Sequence, residues 1–210
     1  MSVKSLGQMR FVMPSLAVLA MLIVLTALVS PLDTTLGERV RMVYVHGAII
    51  RVVLATFVLA GVLGVVYTVV RRAGALAWAS ALFEASLVLW VIYLGVSVVT
   101  TLETWGGIPW FEPRWVFTLQ ITGLAPLLYA AGRALKNPRL AAALYAIFPL
   151  LMLFLLSQAR LVLHPMDPIG ESGNASIQLA YGVMLALWAG VGVQVTRGMK
   201  ALAAARAANA

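Results

Sequence analysis

Long apolar runs alternate with short charged segments along this chain of 210 residues. A run of roughly 20 apolar residues is long enough to cross the hydrocarbon of a bilayer as a helix, which satisfies its own backbone hydrogen bonds. Six runs meet this requirement, and turn-forming residues fall mostly between them. The pattern predicts spanning helices at residues 11–31, 45–70, 75–101, 115–133, 139–160 and 176–196.

The composition agrees with this pattern, since 62% of the residues are hydrophobic and only 10% are charged. A soluble core of this size cannot hide so much apolar surface. We therefore predict an all-α membrane protein, with residues 1–210 forming one bundle of six transmembrane helices. The first run resembles a signal peptide because Lys4 and Arg10 precede it, but it is too long and lacks a clear cleavage site. We expect it to remain as an anchor.

The charges outside the predicted spans fall into two sets. Cytoplasmic loops carry an excess of lysine and arginine, so the purely basic set predicts the cytoplasmic face and places both termini there. This topology explains the net charge of +8, and nucleic acid is not an expected partner. The basic set is Lys4, Arg10, Arg71, Arg72, Arg133, Lys136, Arg139, Arg197, Lys200 and Arg206, and the outer set is Arg39, Arg41, Arg114, Arg160, Asp33, Glu38, Glu103, Glu112, Asp167 and Glu171.

The two histidines of the chain, His46 and His164, both fall on the predicted outer face. One interpretation is that each lies at the membrane interface and hydrogen-bonds to headgroups or backbone. The other is that both ligate one metal centre. Haem iron suits a chain without cysteine and with few carboxylates in its spans, and two imidazoles can occupy both axial positions.

The outer region also contains arginines that suit the propionates of a haem. Arg51 lies about one and a half turns inside the second span, where a charge usually faces the bundle interior or a wet cavity. Snorkelling toward the headgroups is the alternative. The other candidates are Arg39, Arg41, Arg114 and Arg160.

Several further polar residues fall within or near the spans. Gln120, Gln158 and Gln178 lie near the outer ends of three spans, where they either line the same cavity or join neighbouring helices. Glu84 is the only acid inside a span, and we expect it to be neutral and hydrogen-bonded. A proton-relay role is the weaker alternative.

The segment from Thr104 to Trp115 reads TWGGIPWFEPRW and contains three of the six tryptophans in the chain. Tryptophan is common at membrane interfaces, so one such residue would carry little information. The concentration of Trp105, Trp110 and Trp115 in one glycine-containing loop indicates a platform for a flat ligand.

These residues resemble the CcmC-type haem-handling proteins of cytochrome c biogenesis. That family has a loop of the form WGGWWFWDP between its third and fourth spans, and Trp105, Gly106, Gly107 and Pro113 match it in WGGIPWFEP. Glu112 stands for the aspartate, Phe111 for a tryptophan, and Ile108 and Pro109 replace two more. Arg41, Tyr44 and His46 match the R-x-x-Y-x-H part of the family's first histidine motif, whereas Gly47 and Ala48 replace its valine and proline. His164 lies where the second histidine is expected.

The resemblance implies a haem carrier and not an enzyme. Haem b would be ligated by His46 and His164, would lie against the tryptophan loop on the outer face of a bacterial or archaeal cytoplasmic (inner) membrane, and would pass to a CcmE-type haem chaperone. Transporter subunits and a small accessory subunit of the maturation complex would be further partners. The candidate haem-binding residues are His46, His164, Trp105, Trp110, Trp115, Arg51, Arg114, Arg160 and Gln120.

Two other functions stay open at the level of sequence. A small cytochrome b-like protein would use the bis-histidine haem for electron transfer. A haem-free, proton-coupled transporter would use Arg51 and Glu84 as a coupled pair of charges, although the helical rise separates them by several ångströms along the membrane normal.

Overall fold

A computed structural model describes residues 3–160 and 169–208, and the regular structure within these ranges is helical. Six α-helices are each long and apolar enough to cross a membrane. The prediction of an all-α, six-helix membrane protein is thereby confirmed. A short 3₁₀ turn at Gly170–Ser172 precedes the last helix, and the six helices are α1 (Val3–Val29), α2 (Val40–Val70), α3 (Ala73–Trp105), α4 (Pro113–Ala134), α5 (Pro138–Gln158) and α6 (Ala175–Ala208).

Four helices extend well beyond the predicted spans, since α1 and α2 begin earlier and α3 and α6 end later. α3 continues through Thr100, Thr101 and Thr104 to Trp105, because these threonines direct their hydroxyls back to carbonyls one turn earlier and so remain compatible with a helix. α6 continues to Ala208 through an alanine-rich segment, and alanine has the highest intrinsic helix propensity. A prediction from hydropathy ends α3 and α6 too early, because hydropathy reports how apolar the side chains are and not whether the backbone stays helical.

α2 lies at the centre of the bundle and packs against α3, α5 and α6, while α1 packs chiefly along α6 and α4 along α5. Three fully buried rings mark the middle of the core. The ring centroid of Phe57 lies 5.2 Å from that of Phe83 and 4.7 Å from that of Phe148, and Phe83 and Phe148 are 5.3 Å apart. These contacts join α2, α3 and α5 at the middle of the bundle.

α2 and α5 approach closely at two glycines. A Cβ at Gly61 would lie 2.5 Å from Pro149 Cγ, and one at Gly64 would lie 2.6 Å from the carbonyl oxygen of Ala142. Helix interfaces in membranes favour such small residues because packing, and not the hydrophobic effect, drives their association.

We expect Gly64→Ala to lower the thermal unfolding midpoint of the purified protein in detergent. The added methyl meets backbone that cannot rotate away, and overpacking of this kind costs about 1–3 kcal/mol. Gly95→Ala is the matched control, since a Cβ there meets no atom within 4 Å. Equal midpoints for the two variants would contradict the close approach of α2 and α5.

The predicted topology rests on six spans and the distribution of charge. An even number of crossings would put both termini on one side of the membrane, and the positive-inside rule predicts that this side is the cytoplasm. We expect reporter fusions at both termini to give a cytoplasmic signal and a fusion in the loop between α3 and α4 to give an outer one. A cytoplasmic signal from this loop would reverse the orientation of everything described below.

Candidate functional site

A cavity of about 430 Å³ opens where α2 begins, α3 ends and α4 begins. Its volume falls in the range of ordinary ligand pockets, about 300–1,000 Å³. Side chains from α2 to α6 line it, so residues far apart in sequence meet there. The charged and aromatic lining residues include His46, Arg51, Trp105, Glu112, Arg114 and Trp115.

His46 lies in the second turn of α2, and the start of this helix is fixed by a neighbouring tyrosine. Tyr44 is fully buried and its hydroxyl donates a hydrogen bond to the carbonyl of Pro31, at 2.9 Å, which ties α2 to the end of α1. The imidazole of His46 is half-buried, and its centroid lies 5.3 Å from that of the Tyr93 ring on α3. The histidine therefore faces the cavity from a defined position.

Two arginines line the same cavity. The Arg51 guanidinium lies over the ring of Tyr181 on α6, with 5.0 Å between Cζ and the ring centroid, a cation–π contact. Its side chain is exposed, so Arg51 lies at the open mouth of the cavity and not in the closed interior. Arg114 is half-buried in the first turn of α4. Both positions suit an anionic ligand group that reaches the mouth.

The tryptophans are divided between the cavity and its rim. Trp105 ends α3, where Gly106 adopts a left-handed conformation (φ 72°) and donates its N–H to Leu102, as glycine commonly does at a helix C-terminus. Trp105 and the buried Trp115 line the cavity. Trp110 is exposed and packs on Trp115, with 5.9 Å between ring centroids, outside the lining.

Glu112 connects the loop to α4. It precedes Pro113, the first residue of the helix, and its Oε2 accepts a hydrogen bond of 2.9 Å from the N–H of Trp115. An N-cap acceptor followed by proline is a common helix start. This cap fixes both Trp115 and Arg114 relative to the cavity.

Sequence reasoning missed a row of hydroxyl groups on α3. Apart from the adjacent Thr100 and Thr101, successive members lie three or four residues apart, the spacing of one helical face, and this spacing was the signal that could have found them. The Tyr93 hydroxyl also lies 3.3 Å from that of Thr118 on α4. The row that lines the cavity is Tyr93, Ser97, Thr100, Thr101 and Thr104.

Several expected residues are not brought to the cavity. Gln120 is exposed on the side of α4 opposite Thr118 and Ile121, because its helical phase points it away from the bundle. The exposed Arg160 donates from Nε to the carbonyl of Ser157, at 3.4 Å, and is not part of the lining. Neither Gln158 nor Gln178 lines the cavity. His164 lies outside the described residues.

Glu84 is separate from this cavity. Its Oε1 accepts hydrogen bonds from Tyr129 on α4, at 2.7 Å, and from Ser80, at 3.4 Å. The side chains of Glu84 and Arg51 are both described, and no ion pair joins them. The hydrogen bonds agree with the expectation of a hydrogen-bonded glutamic acid in this span.

The lining fits a flat, amphiphilic, anionic ligand such as haem. One imidazole faces the cavity, two indoles offer apolar surface, and two guanidinium groups are part of the lining. The cavity also extends to the exposed side chains of Trp105 and Arg51, so a ligand wider than the enclosed volume can project from it.

Comparison of the chain with protein-family models and with curated proteins gives no match in either case.

Proposed function

We propose that this protein binds haem b in the outer cavity and presents it to a haem chaperone for cytochrome c maturation. The observation that supports this most strongly is that α2, α3 and α4 bring His46, Trp105, Trp115 and two arginines to one cavity. These residue types suit a porphyrin, and the motifs that contain them resemble those of CcmC-type proteins.

In this proposal, haem is cargo. The His46 imidazole ligates the iron from one side, and His164 is proposed as the second axial ligand on sequence grounds. The rings of Trp105 and Trp115 supply apolar contact to the macrocycle, with Trp110 supporting Trp115 from outside. Arg51 and Arg114 line the same cavity and would pair with the propionates. The protein holds and orients haem and catalyses no reaction of its own.

The accepting partner would be a CcmE-type chaperone, and transporter and small accessory subunits of the maturation complex would be neighbours in the bilayer. The location would be the cytoplasmic (inner) membrane of a bacterium or archaeon, with the cavity on the outer face. This follows from the resemblance together with the predicted topology.

The direct test is the absorption spectrum of the protein purified from cells that are supplied with ample haem, recorded oxidised and reduced. We expect one haem b per chain with the bands of a low-spin, bis-imidazole iron. A haem-free preparation from such cells would refute the proposal. Mixing the haem-loaded protein with an apo-chaperone and recording the change of spectrum would show whether haem is transferred. Transfer would distinguish the presentation of haem from a role in electron transfer.

A further inference from the structure

An open groove of about 530 Å³ runs between α1 and α6, apart from the outer cavity. The two helices are antiparallel, because a Cβ at Gly190 would lie 3.2 Å from Leu19 and one at Gly198 would lie 3.5 Å from Val12. The groove therefore lies toward the end of the bundle where α1 begins and α6 ends, which is the predicted cytoplasmic end. The residues that line this α1–α6 groove are Pro14, Ser15, Val18, Leu19, Gly190, Val193 and Gln194.

The α1–α6 groove is apolar toward the middle of the membrane and polar toward the helix ends. Val18, Leu19 and Val193 form its apolar part. Ser15 and Gln194, both half-buried, lie at nearly the same level in the antiparallel register and form its polar part. A serine hydroxyl and a glutamine amide can both donate hydrogen bonds. The groove thus suits a molecule with an apolar chain and an acceptor at one end.

Two exposed arginines flank the polar end of the groove. Arg197 lies three residues beyond Gln194 and Arg10 lies four residues before Pro14, the spacings that continue one face of a helix. At a rise of about 1.5 Å per residue, both lie within about 8 Å of the level of Ser15 along the helix axes, which the long side chain of arginine can largely span. No ion pair joins either arginine to an acid in the described part of the chain.

We propose that the α1–α6 groove binds one anionic phospholipid. The phosphate lies between Arg10 and Arg197, the ester carbonyls accept hydrogen bonds from Ser15 and Gln194, and an acyl chain fills the apolar part. Basic pockets between transmembrane helices at the cytoplasmic face bind anionic headgroups in this way. A zwitterionic lipid would bring its own cation toward the arginines, so a net negative charge is favoured. Free phosphate would leave the apolar part of the groove empty.

Native mass spectrometry of the purified protein in detergent, titrated with phosphatidylglycerol or phosphatidylcholine, tests this proposal. We expect phosphatidylglycerol to bind more tightly. Arg197→Gln should lower its affinity about fivefold, the effect of one arginine beside an anionic lipid, and adding Arg10→Gln should lower it about as much again. Arg206→Gln is the matched control, because this exposed arginine lies on the opposite face of α6 and about 13 Å further along the helix.

Val193→Phe tests the apolar part of the groove. Val193 is 57% exposed, so the larger ring is accommodated without disturbing the core but occupies the space of the acyl chain. The affinity for both phospholipids should fall. Val183→Phe is the matched control, because Val183 is also exposed on α6 and does not line the groove.

Equal affinities of the wild-type protein for the two lipids would overturn the proposal, as would equal losses in Arg197→Gln and Arg206→Gln. Displacement of the lipid by inorganic phosphate would assign the arginines to a free anion instead. A dimer that Val193→Phe dissociates would assign the groove to a second copy of the chain, which would also overturn the proposal. Haem content should be the same in all these variants, so this inference and the proposed function fail independently.

Discussion

His46→Ala should remove the low-spin haem spectrum and most of the haem that survives purification. The imidazole faces the cavity from α2, and its loss would leave an axial position to water. Changes to the groups that merely support a metal ligand already lower affinity about 10–100-fold, so loss of the ligand should cost at least as much. Absorption spectra and haem content per chain measure both effects.

Added imidazole provides the control for this variant. It should enter the vacant position and restore a low-spin spectrum, which a misfolded protein could not do. His164→Ala should behave in the same way if His164 is the second ligand. A low-spin spectrum that persists when both histidines are replaced would show that other residues hold the iron, and the interfacial interpretation of the histidines would stand.

Arg51→Ala should weaken haem retention about tenfold. A hydrogen bond to a charged group contributes about 1.5–3 kcal/mol, and the exposure of Arg51 places it at the lower end. The variant also loses the contact with Tyr181 that positions the guanidinium. Haem dissociation into an excess of an apo-protein acceptor gives the measurement.

Arg39→Ala is the matched control, because Arg39 is exposed immediately before α2 and does not line the cavity. It removes the same charge from the same end of the bundle. Equal haem retention by the two variants would favour the interpretation that Arg51 snorkels to the headgroups and does not hold the ligand.

The sequence identified the cavity residues that belong to rare types. His46, Trp105 and Trp115 could be predicted because histidine and clustered tryptophan are uncommon, and because their places at span ends put them on one membrane face. Arg51 could be predicted because a charge inside a span is costly and needs a polar environment. How rare a residue type is, and how deep a residue lies within a span, can both be determined from the sequence alone.

The direction in which each side chain points around its helix could not be predicted in the same way. A soluble helix shows a polar outer face, but a helix in lipid is as apolar outside as inside, so the pattern does not say which residues point inward. Gln120 was therefore expected at the cavity although it faces away, while Tyr93 and the hydroxyls beside it were overlooked. The hydrogen bond from the Trp115 N–H to Glu112 depends on a helix-cap geometry that the segment WFEPRW predicts only in part.

The length of α3 has a consequence for how the cavity meets the bilayer. Its 33 residues measure about 50 Å at 1.5 Å per residue, about 20 Å more than the hydrocarbon is thick. The exposed Arg71 and Arg72 hold the first end of the helix at one headgroup layer, so the excess length lies at the other end. A helix of this length parallel to the membrane normal would place the segment from Tyr93 to Trp105 beyond the lipid tails, and a tilted helix would place less of it there. In the proposed function, we expect a water-soluble acceptor to reach the mouth of the cavity from this side.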